Sequence, residues 1–315
     1  MSKNLSNLSG RKGLQHNLYE LLGNSAEANE GTPHPKDLKR LAEDFLMGRA
    51  NTYGAASFYD FLKPENKGKK VYYCNGSSCM TAGTQNKVID KLKSNFKEEE
   101  IGHICCLGRC HENSSFHYDG KNYSGDSINQ LDAITQQKTK VADAFKIGHS
   151  GPQILTGNDL TLDEVKNTLK DIFQKGRENI LNEIKASGLR GRGGAGFPIG
   201  FKLESAKNTP SDSRFIVCNA DEGDPGAYSD RYLMEFQPMK LLLGMLIAGY
   251  VVGAEWGVLY IRFEYPESLE IINNAIESLE KENLIGENIL ESGFTYFFKT
   301  IKARGAYICG EETSL

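Results

Sequence analysis

Two pairs of cysteines constrain this chain more than any other feature. Cys74 and Cys79 are spaced C-x4-C, Cys106 and Cys110 are spaced C-x3-C, and 26 residues lie between the pairs. Each pair follows a short apolar stretch, KKVYY before Cys74 and IGHI before Cys105, which reads as a strand entering a loop. Val71–Tyr73 is the core of the first strand. Between the pairs KVIDKLKSNF, residues 87–96, has the period of a compact amphipathic helix, and a weak hairpin is expected around Asp119-Gly120.

Strand, cysteine loop, helix, strand, cysteine loop is the order of a thioredoxin-like domain, placed here over residues 66–140. Thiolates arriving as two pairs from two loops suit a [2Fe–2S] cluster, which takes four Cys ligands. Asn75, Gly76, Ser77 and Ser78 are small enough to let backbone N–H groups approach cluster sulfides. Two alternatives stay open. The pairs could hold zinc, although structural zinc sites favour shorter spacing at both ends, or they could cycle as a redox disulfide. Any single cysteine is ordinarily buried and inert. Cys105 adjoins Cys106, and on a strand the two face opposite ways. The C-x3-C spacing favours Cys106.

Composition narrows the setting. The N-terminus MSKNLSNLSGRKG has no apolar core of a secretory signal, and seven cysteines without such a signal fit a reducing, cytoplasmic compartment. A net charge of −4 argues against a nucleic-acid partner. The one long apolar run, Met239–Ala254, is shorter than the roughly 20 residues of a membrane span and reads as a buried helix. A chain of 315 residues holds two domains or three.

Residues 1–65 form a helical N-terminal region by pattern, with Leu14, Leu18, Leu21 and Leu22 on one face and Leu38, Leu41, Phe45 and Leu46 on another. A polar linker is expected within 135–165, and a last domain over 150–315. There, Asp163–Lys185 reads as a helix with Gly188 at its C′ position. RFIVC, residues 214–218, reads as a buried strand, Gly257–Phe263 as another, Pro266 to about Asn283 as a helix, and FTYFFKTIKA and AYIC as further strands. Strands alternating with helices predict an α/β fold.

Three segments of this last domain carry candidate chemistry. GLRGRGGAGFPIGFK, residues 188–202, contains Gly191-x-Gly193-x-x-Gly196. A dinucleotide fingerprint needs a strand before the glycines and a helix after them. A helix precedes these, and Phe197-Pro198 interrupts the chain after them, so a standard Rossmann site is the wrong reading. Glycines free to take positive φ still make a nest of N–H groups for an anion or a planar ring. A flexible surface loop is the plainer reading, against which Phe197 and Pro198 count. Lys202 adds a positive charge. CNADEGDPG places Asn219, Asp221, Glu222 and Asp224 at the end of a strand, where ligands of open α/β sheets gather. Gly310-Glu311-Glu312 follows the strand Ala306–Cys309 in the same way. Alone, each acidic turn is more simply a solvated turn.

Together these residues carry a resemblance. YCNGSSC with CCLGRC resembles the [2Fe–2S] domain of the 24-kDa-type subunit of complex I. GRGGAGFP, CNADEGDPG and AYICGEET resemble the 51-kDa-type NADH-oxidising flavoprotein over residues 150–315. The fused form is similar to diaphorase subunits of NAD-reducing hydrogenases and NAD-dependent formate dehydrogenases.

The resemblance implies FMN at Gly191, Gly193, Lys202, Asn219, Asp221, Glu222, Gly310 and Glu311, with NAD(H) near Gly194, Phe197, Asp224 and Glu312. It implies a [2Fe–2S] cluster on Cys74, Cys79, Cys106 and Cys110, and no general base among the side chains. It also implies partner subunits of a hydrogenase, formate dehydrogenase or complex I-like assembly. The family's [4Fe–4S] cluster has no ligands here, and the sequence reads as C-terminally truncated. An auxiliary [2Fe–2S] subunit without nucleotide turnover is the rival expectation, and a thioredoxin-like redox regulator a further one. Three positions depart from the family: HENSSF after Cys110, Ser205 where an aromatic residue is common, and Ala303-Arg304-Gly305 before AYIC.

Overall fold

The computed structural model describes residues 17–138, 150–192 and 194–306. Gly193, Gly310, Glu311, Glu312, Leu14 and the expected strand at 306–309 beyond Ala306 lie outside the described residues.

The N-terminal region is three helices, α1 (Leu18–Ala28), α2 (Pro35–Asp44) and α3 (Arg49–Phe58). The Asn17 side chain accepts from the Glu20 amide at 2.8 Å to start α1, and Pro35 occupies the first turn of α2. Leu18, Leu22 and Leu41 are buried together as their spacing predicts. Leu46 is not: α2 ends at Asp44, and Leu46 sits beyond it at φ +53, exposed.

The cysteine region follows as β1 (Val71–Cys74), α4 (Ser77–Thr81), α5 (Gln85–Lys93), β2 (Ile101–Ile104), β3 (Phe116–Tyr118), β4 (Lys121–Tyr123) and α6 (Leu131–Thr135). Its sheet has the order β2-β1-β3-β4, with β1 parallel to β2 and antiparallel to β3. Asp119 and Gly120 both take positive φ in the β3–β4 hairpin, the geometry of a tight primed turn.

After residues 150–161, which contain no regular element, come α7 (Leu162–Lys175) and α8 (Arg177–Ala186). The single helix expected over Asp163–Lys185 is broken, because Gly176 stands at φ +80 between them. Thr161 and Glu164 cap α7 reciprocally. Next are α9 (Ile199–Asn208), β5 (Phe215–Ala220), α10 (Ser229–Phe236), α11 (Pro238–Val252), β6 (Trp256–Ile261), α12 (Pro266–Lys281) and β7 (Phe297–Lys302). The sheet β5-β6-β7 is parallel throughout.

The apolar run resolves into α11. Asp159, far back in the chain, accepts from the Met239 and Lys240 amides at 2.8 and 3.1 Å at its start, and Gly253 closes it in the left-handed conformation. Leu242 and Leu246 are buried against Leu259 and Ile261 of β6, each side chain contributing about 2 kcal/mol of apolar transfer. Tyr260 points to the other face of the sheet, where α1–α3 cover it. Thus β6 is buried on both faces, as central parallel strands are. By contrast β5 is not the buried strand its sequence indicates. It is a sheet edge, with Phe215 and Val217 on an uncovered face and Ile216 and Cys218 on the core face. Among the described residues, no single helix is long and apolar enough to cross a membrane.

Candidate functional site

The four cysteines of the two pairs come together where β1 and β2 run side by side. Cys74 is the last residue of β1 and Cys79 lies on α4; Cys106 and Cys110 bracket the loop after β2. Cys74 touches both Cys79 and Cys106 through its sulfur, and the Cys106 and Cys110 sulfurs are 3.7 Å apart. Cys74, Cys79 and Cys106 are buried. Crowding of thiols moves protons unequally. Cys106 pushes both the Cys74 and the Cys110 thiols up, whereas Cys79 is brought down to about 6 by Cys74, and Cys106 is held low by Cys110 and then Cys74. Iron binds cysteine as thiolate, so a cluster held here would displace the protons of all four sulfurs.

Amides surround the sulfurs. Gly108 N–H approaches Cys106 Sγ at 3.5 Å, and backbone N–H groups of Gly76, Ser115 and Gly226 serve Cys74, Cys79 and Cys110 respectively. The two loops meet so closely that a Cβ on Gly76 would stand 2.3 Å from the Cys105 carbonyl oxygen. No group of three or more His, Cys, Asp or Glu among the described residues is arranged to hold a single metal ion. Four sulfurs arriving as two pairs can complete the ligand shell of a dinuclear [2Fe–2S] cluster. Cys105 is exposed, and its amide donates to Asp60 Oδ2 at 2.8 Å. Cys218 packs against the core beneath β5, where burial pushes its thiol up to about 11.

The glycine loop is an exposed bend between α8 and α9. Gly191 N–H donates to the Phe197 carbonyl at 2.8 Å and Ile199 N–H to Leu189 at 3.0 Å, which closes the loop on itself. The Gly191 amide is therefore spent internally rather than offered to a ligand. Gly194 and Gly196 take φ +105 and +61 with open space where a Cβ would project. Phe197 does not pack inward; it is 58% exposed. Pro198 does not end the chain's order but caps α9, which starts at Ile199. A helix does follow the glycines, but no strand precedes them, and only an isolated Arg190–Pro198 bridge is formed. Lys202 is exposed in the first turn of α9, where helix amides and its ammonium would meet an anion together.

The acidic turn follows β5. After α9 the chain reverses and the Arg214 guanidinium binds the Ala206, Lys207 and Thr209 carbonyls. A helix of about 15 Å is thus followed by a strand of about 20 Å running back. Asn219 is exposed, Asp221 is buried, and Asp224 is exposed. Glu222 is tied down: its carboxylate accepts from Ser229 Oγ and Asp230 N at 2.9 Å, Arg231 N at 3.2 Å and Tyr265 Oη at 3.1 Å. It caps α10. Burial first, then the Glu222 charge, pushes the Asp230 carboxyl up to about 6. Ser205 is exposed on α9, and Arg304 is buried with its guanidinium against Gly23 of α1.

The sequence reading missed the junction of the two halves. Gly226 of the acidic turn reaches Cys110, and the His111 and Tyr228 rings lie 5.2 Å apart. Arg109 Nη2 meets Glu267 at 2.7 Å, Asn122 Nδ2 donates to the Glu264 carbonyl at 2.6 Å, and Phe61 lies 4.0 Å from Phe263 between centroids. The one available signal was VLYIRFE, where an arginine and a glutamate follow a fully apolar strand.

Comparison with known proteins matches this arrangement domain by domain. The family model of the thioredoxin-like [2Fe–2S] ferredoxin matches residues 11–139, and that of the Nuo51 FMN-binding domain matches residues 184–315. By these two matches the C-terminal part is similar to complex I 51-kDa-type flavoproteins and the N-terminal part to thioredoxin-like [2Fe–2S] domains. The mitochondrial NADH dehydrogenase (ubiquinone) flavoprotein 1 of Dictyostelium discoideum is 45% identical over 46% of this chain and 31% of its own length. NADP-reducing hydrogenase subunit HndC of Solidesulfovibrio fructosivorans is 45% identical over 43% and 28%, respectively. The 51-kDa subunit of mitochondrial NADH-ubiquinone oxidoreductase in Neurospora crassa is 45% identical over 46% and 30%. The chain thus spans well under half the length of these curated relatives. A crystal structure of an NAD+-reducing [NiFe]-hydrogenase in the H2-reduced state shares the fold at a TM-score of 0.75 and 24% identity, over 95% of this chain and 54% of that one.

Proposed function

We propose that this chain is an electron-input subunit that takes reducing equivalents from NAD(P)H and passes them to iron–sulfur centres. The observation that carries the reading is the contact between the acidic turn and the second cysteine loop, at Gly226 and Cys110. FMN, when bound, supplies the conversion of a two-electron hydride into single electrons. Gly194, Gly196, Lys202 and the α9 N-terminus would hold its anionic end, and the exposed Asn219 and Asp224 would face its hydroxyls and the nucleotide, whereas Asp221, buried with its carboxylate, joins the set by family resemblance alone. Cys74, Cys79, Cys106 and Cys110 would hold the [2Fe–2S] cluster. The remaining residues of that set, Gly191, Gly193, Phe197, Glu222, Gly310, Glu311 and Glu312, complete it by family resemblance.

The division of the chain into residues 1–65, 66–140 and 150–315 belongs to this proposal. So do a cytoplasmic location and partners of the hydrogenase, formate dehydrogenase or complex I-like kind. One observation favours the auxiliary reading without nucleotide turnover: the four internal donors on Glu222, which leave that carboxylate committed to α10.

Anaerobically purified protein, assayed for FMN, iron and sulfide and then mixed with NADH and ferricyanide, separates the two. Flavin, iron and ferricyanide reduction are expected. Iron and sulfide without flavin would leave the auxiliary subunit, and neither group would leave a thiol regulator.

A further inference from the structure

Past the end of β6 the chain continues as Arg262-Phe263-Glu264-Tyr265, and these residues form the bed on which the second cysteine loop lies. The Arg262 guanidinium is 5% exposed yet serves both halves of the molecule. Its Nη1 donates to the Glu222 carbonyl at 2.7 Å, on the acidic turn, and its Nη2 donates to the Cys106 carbonyl at 3.0 Å, on the cysteine loop. Its Nε meets Glu264 Oε2 at 3.1 Å, and Glu264 is 3% exposed. The cation faces the Tyr265 ring at 5.4 Å, and Tyr265 hydrogen-bonds the Glu222 carboxylate. On the loop side Gly108 lies flat on that ring, where an added Cβ would fall 2.3 Å from Cε1.

We infer that Arg262 is a positioning residue for the [2Fe–2S] site, fixing the Cys106 loop against the flavin-side turn and raising the reduction potential of the cluster, with Glu264 as its counterweight. Reduction adds one electron to the cluster and so one negative charge. A buried cation beside it stabilises that state, and a buried anion opposes it, with little screening by salt. Two groups of opposite sign at one place give the inference a sign test that a purely structural role fails.

The test is an EPR-monitored potentiometric titration of the whole chain, with dithionite supplying one electron per cluster through mediators. R262Q is expected to lower the reduced-to-oxidised ratio at a fixed potential about tenfold, which is 59 mV for one electron. E264Q is expected to raise the ratio by a similar factor, and R262K to stay within about threefold of wild type. Shifts of the same sign in R262Q and E264Q, or changes below about twofold in both, overturn the inference. If R262Q does not load a cluster, E264Q decides alone: an upward shift supports the inference, and no shift or a downward one overturns it. The inference rests on the four cysteines holding a [2Fe–2S] cluster. A wild-type chain with no one-electron cluster signal ends that reading and this one with it, whereas a normal wild-type signal with unmoved variants ends this one only.

Discussion

The cysteine loops and the glycine loop are both irregular segments at the ends of regular elements, yet they are built in opposite ways. The cysteine loops close on each other and on the neighbouring half of the chain, with three buried sulfurs and backbone approaches that leave no room at Gly76 or Gly108 for a methyl group. The glycine loop closes only on itself, and Gly194 and Gly196 face open space. The difference follows from what each would hold. A small cluster needs thiolates fixed to bonding distance and shielded from water, so its walls must meet before it arrives. A flavin and a dinucleotide are large and must enter, so their seat has to stay open.

The largest effect separating the two regions is expected at Cys106. Cys106→Ser should reduce cluster iron and the EPR signal more than about tenfold, while Cys105→Ser retains both; equal losses would erase the distinction between the neighbours. Gly108→Ala should cost about 3 kcal/mol in urea unfolding, because the new methyl meets the Tyr265 ring and the residue stands at φ +67.

Gly194→Ala sharpens the contrast. With no neighbour to strike, only the φ of +105 is penalised, by about 1 kcal/mol. FMN affinity, read by flavin fluorescence, should fall about tenfold. A stability loss matching that of Gly108→Ala would show the glycine loop to be packed after all.

The smallest effect concerns Asp230, at the start of α10. Its carboxyl lies higher in the folded chain, about 6, than the 3.8 of an unperturbed aspartate. Stability from this group is therefore complete below about pH 4 and is lost as pH rises through about 6. Asp230→Asn should be more stable than wild type by about 1 kcal/mol at pH 8, a figure limited by solvent screening of a half-buried group. The difference should vanish near pH 4 in parallel denaturation curves.

Much of the fold was legible because its signals are local. The Asp119-Gly120 hairpin, the α11 run ending at Gly253 and the strand after Glu255 each follow from residues within a few positions of one another. Gly176 misled, since a lone glycine inside a helical pattern is usually tolerated, and here it separates α7 from α8. RFIVC misled for another reason. An apolar strand reads the same at an edge and at the centre of a sheet, and only the order β5-β6-β7 leaves Phe215 and Val217 uncovered.

The sequence by itself determined which residues are candidates for chemistry: two cysteine couples on strand–loop joints, glycines before a helix, and carboxylates after a strand. Each is a short pattern, and chain geometry over ten residues or so decides what it can do. Tertiary structure alone decided what those residues face. It set Cys106 among the sulfurs and Cys105 outside them, turned the Glu222 carboxylate back onto α10, and brought Arg262 to a carbonyl 156 residues away. Such contacts depend on how segments far apart in the chain pack together, and no periodicity within any one of them encodes that.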